Sequence, residues 1–210
     1  FVLIGRRPNP EFHFRDLLDQ RIAIAEEVPT PWMTFRDDLT RAGIDPSQLD
    51  IADNAAMTTF PDLIATGKVD VAQVLEPVAA TAITEGRAHI WHRFANRGDI
   101  GYTSFYTTRT YLQDHLDNCQ KLLSGIERAL EALAKELCVD IASELSDLFP
   151  DVPTPILATA IGGYQSSNLW PRQSDLPVAA FVRLKSALLA GGLISRDIPY
   201  ENVIARLEAS

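Results

Sequence analysis

The chain has 210 residues, 46% of them hydrophobic, which is enough for one large domain or two small domains with hydrophobic cores. Its formal net charge of -9 and pI of about 4.9 argue against binding of nucleic acid or of an anionic membrane through a basic surface. No apolar run reaches the roughly 18 residues that suggest a membrane span, so we expect no direct membrane insertion. Residues 1–4 also lack the basic start and the small-residue cleavage site of a signal peptide.

The first third of the chain alternates between predicted strands and predicted helices. Thr30 is predicted to cap a helix over residues 31–42, which has proline in its first position and Gly43 after its end. Asp53 and Asn54 are predicted to cap a second helix over residues 55–66, either continuous or kinked or restarted at Pro61. Short apolar runs predict strands at residues 1–4, 21–25 and 49–51. An opening directly on a core strand indicates that the chain begins partway through a larger fold.

The clearest strand covers residues 69–75, between Gly67 and Pro77. Its β-branched content predicts a buried strand in a mostly parallel sheet. Glu76 follows at the carboxyl end of this strand, where open α/β sheets bind their ligands. The carboxylate therefore either contacts a ligand, or caps the following helix, or pairs with a nearby arginine.

After the predicted helix at residues 77–85, the pattern changes from alternating to helical. Residues 89–94 and 102–107 are predicted as strands, so the alternation typical of a doubly wound α/β sheet extends to about residue 107. Beyond it, one apolar stripe predicts a long amphipathic helical region, restarted near Asp117. The stripe consists of Leu112, Leu116, Cys119, Leu123, Ile126, Leu130, Leu133 and Leu137. Further helices are predicted at residues 141–148, 154–166, 177–189 and 200–208.

Four predicted strand-to-helix junctions carry the polar and aromatic side chains of a possible binding cleft. If the junctions meet at one sheet edge, they form the usual combination of an apolar wall with a few polar points. Taken singly, each junction is weak evidence: an ordinary N-cap is the commoner explanation for residues 27–32, and Trp32 alone is more typical of a core side chain. The candidate ligand contacts are Glu27, Pro29, Thr30, Trp32, Asn54, Glu76 and Thr103.

The sequence predicts no catalytic residue, metal site or cofactor. His89 and His92 lie three residues apart on a predicted strand, so they face opposite sides, and no nucleotide, phosphate, zinc or calcium motif occurs. On a single helix, Cys119 and Cys138 would lie about 28 Å apart, too far for a disulfide. We expect both cysteines to be buried, reduced and structural.

Several stretches of the chain resemble the periplasmic substrate-binding proteins of ABC importers for nitrate, sulfonates, taurine and thiamine-pyrimidine precursors. The resembling stretches are residues 21–31, 39–46, 65–72 with Glu76 and Pro77, 164–171 and 190–194. The resemblance implies an α/β, two-lobe, periplasmic-binding-protein-like (venus flytrap) fold with a doubly wound sheet in the second lobe. It also implies a helical C-terminal half that packs on an incomplete first lobe, because the family's leading part of lobe one precedes the segment that matches Phe1.

The same resemblance implies a domain division and a function. Residues 14–100 would form the second α/β lobe, and residues 1–13 and 101–210 the remainder of lobe one, the hinge strands and the C-terminal helices. The protein would bind a small-molecule ligand between the lobes, without cofactor or nucleic acid, and deliver it to an inner-membrane ABC permease. It would be periplasmic or lipid-anchored and extracytoplasmic. Two alternatives remain: an enzyme of this fold related to thiamine-pyrimidine synthesis, and the effector-sensing domain of a transcription regulator.

Overall fold

A computed structural model describes residues 1–25 and 28–207 of the chain. Its centre is a five-stranded sheet of order β3-β2-β4-β1-β5. The strands are β1 (Val2–Gly5), β2 (Arg21–Ala23), β3 (Asp50–Ile51), β4 (Val71–Val74) and β5 (His89–Arg93). β2 pairs in parallel with β3 and β4, whereas β1 pairs antiparallel with β4 and β5. The predicted α/β fold with a mostly parallel sheet is therefore confirmed, with β1 as its reversed strand.

Helices cover both faces of the sheet, as expected for a doubly wound arrangement. The helices are α1 (Pro29–Arg41), α2 (Phe60–Ala65), α3 (Val78–Thr84), α4 (Arg109–Asp114), α5 (Leu116–Lys135), α6 (Cys138–Leu145), α7 (Thr154–Ser166) and α8 (Val178–Ala190). Short segments of 3-10 helix occur at Phe14–Asp19, Pro46–Gln48, Met57–Thr59, Phe94–Arg97, Ser146–Leu148 and Tyr200–Asn202. None of the helices in the described ranges is long and apolar enough to cross a membrane.

Two hydrophobic cores lie on opposite faces of the sheet. Side chains that alternate along the strands supply both, because successive residues of a strand point to opposite faces. Ile4 and Val74 pack with Phe60 of α2 and with the alanines of α3 on one face. Leu3 and Val71 pack with Phe35 of α1 on the other face. The strand residues are almost completely buried, so the sheet is a rigid base for the loops at its edge.

The C-terminal helices join this α/β unit at two places. α7 packs against α6 and also contacts α3, whereas α8 packs against α1. A smaller core between α6 and α7 contains Ile141, Leu157 and Ile161. The helices of the second half therefore reach both faces of the α/β unit.

Two helix starts differ from the sequence prediction. α1 begins at Pro29 with Val28 as its N-cap, so Thr30 lies inside the first turn and does not cap the helix. α2 begins at Phe60 rather than at residue 55, which agrees with the predicted alternative of a restart at Pro61, and Asn54 does not cap it. The reason for the late start is Pro61: proline lacks an N–H and fits only in the first turn of a helix, which excludes a continuous helix through it.

The predicted strand at residues 102–107 is wrong, since these residues form an irregular, exposed segment. Tyr106 is 97% exposed and Phe105 is 74% exposed. Aromatic and β-branched residues favour a strand only when a neighbouring strand pairs with them, and this segment has no such neighbour among the described residues. The predicted helix at residues 200–208 is also largely wrong: the described part contains only the turn Tyr200–Asn202.

The cysteines lie on two different helices, Cys119 on α5 and Cys138 at the start of α6. Both are free thiols, as predicted, but both are partly exposed rather than buried. The helical region that carries the apolar stripe is interrupted at His115, just before the predicted restart at Asp117.

Candidate ligand-binding site

The carboxyl ends of the parallel strands meet at one edge of the sheet. β5 runs in the same direction as β4, because β1 lies between them and is antiparallel to both. The loops that follow β2, β3, β4 and β5 therefore leave the sheet at the same edge, together with the start of β1. Three of the predicted contacts, Thr30, Asn54 and Glu76, follow the ends of β2, β3 and β4, which places them along this edge.

Glu76 is a half-buried charged residue at this edge of the sheet. Its Oε2 accepts a hydrogen bond of 2.7 Å from the N–H of Ala80, so one carboxylate oxygen caps the first turn of α3. Burial raises the pKa of the carboxyl, although this hydrogen bond and the nearby charge of Arg93 partly oppose the rise. The peptide bond between Glu76 and Pro77 is cis. The sequence left three roles open for Glu76: ligand contact, helix cap or partner of an arginine. The structure shows helix capping for Oε2, whereas Oε1 lies near Gly163.

Arg93 and Gly163 meet Glu76 at this point, and sequence reasoning missed both. A Cβ atom on Gly163 of α7 would lie 3.3 Å from Arg93 Nη1 and 3.8 Å from Glu76 Oε1. Arg93 ends β5 and stands opposite Val2, which in turn stands opposite Val74 of β4. This juxtaposition depends on strand register and on the docking of α7, so no local sequence pattern indicated it.

Tyr164 lies beside this group of charges. Burial and the negative charge of Glu76 raise the pKa of the Tyr164 phenol to about 12, against a hydrogen bond with the Glu76 backbone that lowers it. The hydroxyl therefore stays protonated at neutral pH and remains available as a donor. The ring packs edge-to-face on Trp170, and nearby Tyr102 packs in the same way on Phe1. These rings supply apolar surface next to the polar groups.

The start of α1 forms a second part of the same edge, and a buried glutamine of β4 holds it in position. Gln73 is completely buried, and its Nε2 donates to the carbonyl oxygen of Pro31 over 3.1 Å. Its Oε1 has no hydrogen-bond partner among the described residues. Pro29 is exposed and Thr30 is half-buried. Trp32 packs edge-to-face on Phe35 and thus belongs to the core of that face.

The remaining predicted contacts are less enclosed. Asn54 and Thr103 are both exposed and lie in irregular segments. Thr103 is the residue after Tyr102, whose ring lies near Tyr164 in the group around Glu76. The Thr103 hydroxyl itself makes no observed hydrogen bond to that group of residues. Glu27 lies outside the described residues.

A buried ion network fastens α8 to α1 close to the same edge. Asp38 Oδ2 of α1 lies 2.6 Å from Arg97 Nη2, and the two side chains are 6% and 7% exposed. Arg183 of α8 approaches Asp38 Oδ1 at 3.6 Å and donates to the backbone oxygen of Arg97. Burial raises the pKa of Asp38, and the two arginines only partly oppose this. The network thus connects three segments at the cost of removing charges from water.

The geometry favours reversible binding of a small polar molecule. No group of three or more histidine, cysteine or acidic side chains within residues 1–25 and 28–207 is arranged to hold a metal ion. A mostly apolar recess of about 390 Å³ lies between α8 and the segment after it, lined by Phe181, Leu188 and Ile194 among others. Its charged residues are Arg196 and Lys185, and Lys185 is paired with Asp197. Around Glu76, opposite charges that do not pair with each other lie beside a phenol and aromatic rings.

The fold matches solved binding proteins. The aliphatic sulphonate binding protein SsuA of Escherichia coli superposes with a TM-score of 0.76 at 14% identity, over 100% of this chain and 66% of that protein. The alkanesulfonate-binding protein SsuA of Xanthomonas axonopodis pv. citri, solved bound to MOPS, gives a TM-score of 0.61 at 14% identity, over 90% of this chain and 61% of that protein. At these identities the matches show the fold, which is that of periplasmic binding proteins.

Sequence comparison agrees with the fold. The chain is 22% identical over 204 residues to a Bacillus subtilis (strain 168) protein named "Putative binding protein YtlA", covering 96% of this chain and 61% of that protein. The chain thus spans about three fifths of the length of this relative. The sequence profile described as "NMT1/THI5 like" matches residues 6–136, which is more than half of the chain. The protein therefore belongs to the NMT1/THI5-like family.

Proposed function

We propose that the protein is the solute-binding component of an ABC importer. It captures a small organic anion or zwitterion, such as a sulfonate, taurine or a nitrate-like ion, or else a pyrimidine precursor. It releases the solute to an inner-membrane permease and performs no covalent chemistry. It acts in the periplasm, or as a lipid-anchored extracytoplasmic protein. Residues 14–100 form one lobe, and residues 1–13 and 101–210 contribute to the other lobe and to the hinge.

The position of Glu76 carries this proposal. The half-buried Glu76 carboxylate lies at the carboxyl end of a central strand. Open α/β sheets bind their ligands at this end of their strands. One oxygen is held by the Ala80 N–H, which fixes the side chain, while Oε1 faces the space beside Arg93 and Gly163. Fixed polar groups next to aromatic rings are the usual composition of a small-molecule site.

The proposed contacts extend along the sheet edge from Glu76. The first turn of α1 offers backbone N–H groups and the Thr30 hydroxyl, which suit an anionic group. Together with Glu76, the proposed contacts are Glu27, Pro29, Thr30, Trp32, Asn54 and Thr103. The names of the related SsuA proteins, which bind sulfonates, support an anionic group on the ligand.

Thermal-shift measurements on the intact protein test the proposal. The panel contains alkanesulfonates, taurine, nitrate, aromatic carboxylates and aminopyrimidines. A ligand at about 100 times its dissociation constant adds roughly 2.7 kcal/mol to the free energy of unfolding, which raises the Tm of a chain of this size by about 5 to 10 °C. We expect such a shift with at least one class, and a cooperative melt that no class shifts would contradict the proposal.

A variant then locates the site. Glu76→Gln keeps an oxygen for the Ala80 N–H but removes the charge, and we expect it to weaken binding of the identified ligand by at least tenfold in titration calorimetry, since a hydrogen bond to a charged group is worth about 1.5 to 3 kcal/mol. Glu144→Gln is the matched control, because Glu144 is exposed on α6, away from this edge. Equal affinities of the two variants would exclude Glu76 as a contact.

A further inference from the structure

Glu76 and Arg93 carry opposite charges beside the same small volume, yet they do not pair. Both charged groups lie within 4 Å of the position that a Gly163 Cβ would occupy. Arg93 acts on the Glu76 carboxyl through space, but neither residue takes part in an ion pair of the described chain, where the observed pairs involve other residues. The Arg93 guanidinium also makes no hydrogen bond to a described residue, although the Arg93 backbone belongs to the β1–β5 pairing. Two half-buried charges are thus left with incomplete partners at the sheet edge.

This arrangement is costly for the free protein. Burial without a partner disfavours a charge, and a contact with a group of opposite sign relieves the cost. Three other partly or largely buried arginines of the described chain have such contacts: Arg97 and Arg183 meet Asp38, and Arg87 meets Asp62 at 2.6 Å. The half-buried Arg36 of α1 has no such contact among the ion pairs observed between described residues. What distinguishes Arg93 is that it shares its space with the partly buried Glu76 carboxylate. A molecule that contacts both residues would give each charge a partner.

Gly163 keeps the volume between the two charges open. Glycine inside a helix costs roughly 1 kcal/mol relative to alanine, so its position in α7 needs a reason. At the neighbouring Gly162 the reason is helix packing, because a Cβ there would touch Cys138 Sγ at 3.4 Å. At Gly163 the nearest atoms are instead Arg93 Nη1, Arg93 Nη2 and Glu76 Oε1, at 3.3, 3.7 and 3.8 Å.

We propose that Glu76, Arg93 and Gly163 form a recess that selects zwitterionic solutes, with the ammonium or other cationic donor at Glu76 and the sulfonate or carboxylate at Arg93. The inference rests on the proposed function and narrows its ligand class. An anion without an amino group gains the contact with Arg93 but is repelled by Glu76. An amine without an acid group gains the contact with Glu76 but is repelled by Arg93. Arginine suits the anionic end, because its planar fork binds carboxylates and similar oxyanions with two parallel hydrogen bonds.

Titration calorimetry on the intact protein tests the recess with three matched series of probes. The series are ω-amino alkanesulfonates and carboxylates of increasing chain length, the same acids without the amino group, and the same amines without the acid group. We expect the best zwitterion to bind at least tenfold more tightly than its anion or amine analogue. Arg93→Gln should abolish the preference over the amine, and Glu76→Gln the preference over the plain acid.

The two glycines provide a matched pair of variants. Gly163→Ala places a methyl group between the charges, and we expect it to lower zwitterion affinity at least tenfold, whereas Gly162→Ala should leave it unchanged. Melting curves without ligand separate loss of binding from loss of folding. If plain anions or aminopyrimidines bind as tightly as any zwitterion, the recess is refuted while the proposed function stands. If no probe binds the cooperatively folded protein, both fail.

Discussion

Two groups of charges lie near the same sheet edge and differ in how they are satisfied. In the Asp38 network, a buried carboxylate is in contact with Arg97 at 2.6 Å and approached by Arg183, and the three residues connect α1, the turn after β5 and α8. Around Glu76, a carboxylate and Arg93 face one volume without pairing. The comparison indicates that opposite charges in direct contact support the fold, whereas opposite charges held apart beside a shared space are available for a ligand.

The largest effect on stability is expected from breaking the Asp38 network. Asp38→Asn leaves Arg97 with its buried charge uncompensated, and removal of one partner of a buried pair costs about 3 to 5 kcal/mol. Urea unfolding measures the loss. The control is Asp50→Asn in β3, whose pair with Arg21 is exposed at both side chains and should change stability by less than about 0.5 kcal/mol. Similar losses in both variants would show that the network does not hold the helices together.

Replacing both members of the pair should have a smaller effect than replacing one. Asp38→Leu combined with Arg97→Met removes both buried charges, and apolar side chains in place of a buried pair are often neutral or stabilising. Arg183 is partly exposed and keeps its bond to the backbone oxygen at position 97. We therefore expect the double variant to recover most of the stability that Asp38→Asn loses. A double variant as unstable as the single one would indicate that the ionic contact itself is needed.

A third prediction concerns the pH dependence of stability that arises from His92, which lies near the Asp38 network. His92 packs among Phe12, Phe14 and Phe94, and burial, with the charge of Arg97, lowers its pKa from 6.5 to about 4. Between these values the unfolded chain binds the proton and the folded chain does not. Stability therefore falls as the pH drops from 6.5 to 4, by about 1 to 2 kcal/mol after allowance for partial exposure.

The substitution His92→Phe isolates this contribution, because phenylalanine fits the aromatic surroundings and does not titrate. We expect the free energy of unfolding of the variant, measured in urea at several pH values, to decline less than that of the unaltered protein across the same interval. His89→Gln, at an exposed position of the same strand, is the control. Parallel curves for all three proteins would contradict the assignment to His92.

The sequence predicted the elements whose signals are local. The bounds of α7 agree with the prediction at residues 154–166, and the apolar run before Glu76 correctly placed that residue at a strand end. Arg93 and Gly163 were missed because they meet Glu76 only through the register of β1 and the docking of α7 on α3. The segment after Tyr102 was predicted as a strand from composition alone, which cannot show whether a partner strand is present.

The smallest effect, and the one that separates the two groups of charges most clearly, is expected for Glu76→Gln without ligand. Burial raises the pKa of Glu76, so the folded chain binds a proton more tightly than the unfolded chain, and the ionised carboxylate destabilises the free protein at neutral pH. Because glutamine is neutral and still accepts a hydrogen bond from the Ala80 N–H, we expect the variant to be more stable by about 0.5 to 1 kcal/mol at pH 7.

This gain in stability should shrink as the pH falls through the raised pKa of Glu76, because the native carboxyl is then itself protonated. Urea midpoints at pH 7 and pH 5 measure this difference. A gain in stability combined with weaker ligand binding identifies Glu76 as a residue kept for binding at the expense of the fold, whereas destabilisation would place it with Asp38 as a structural charge.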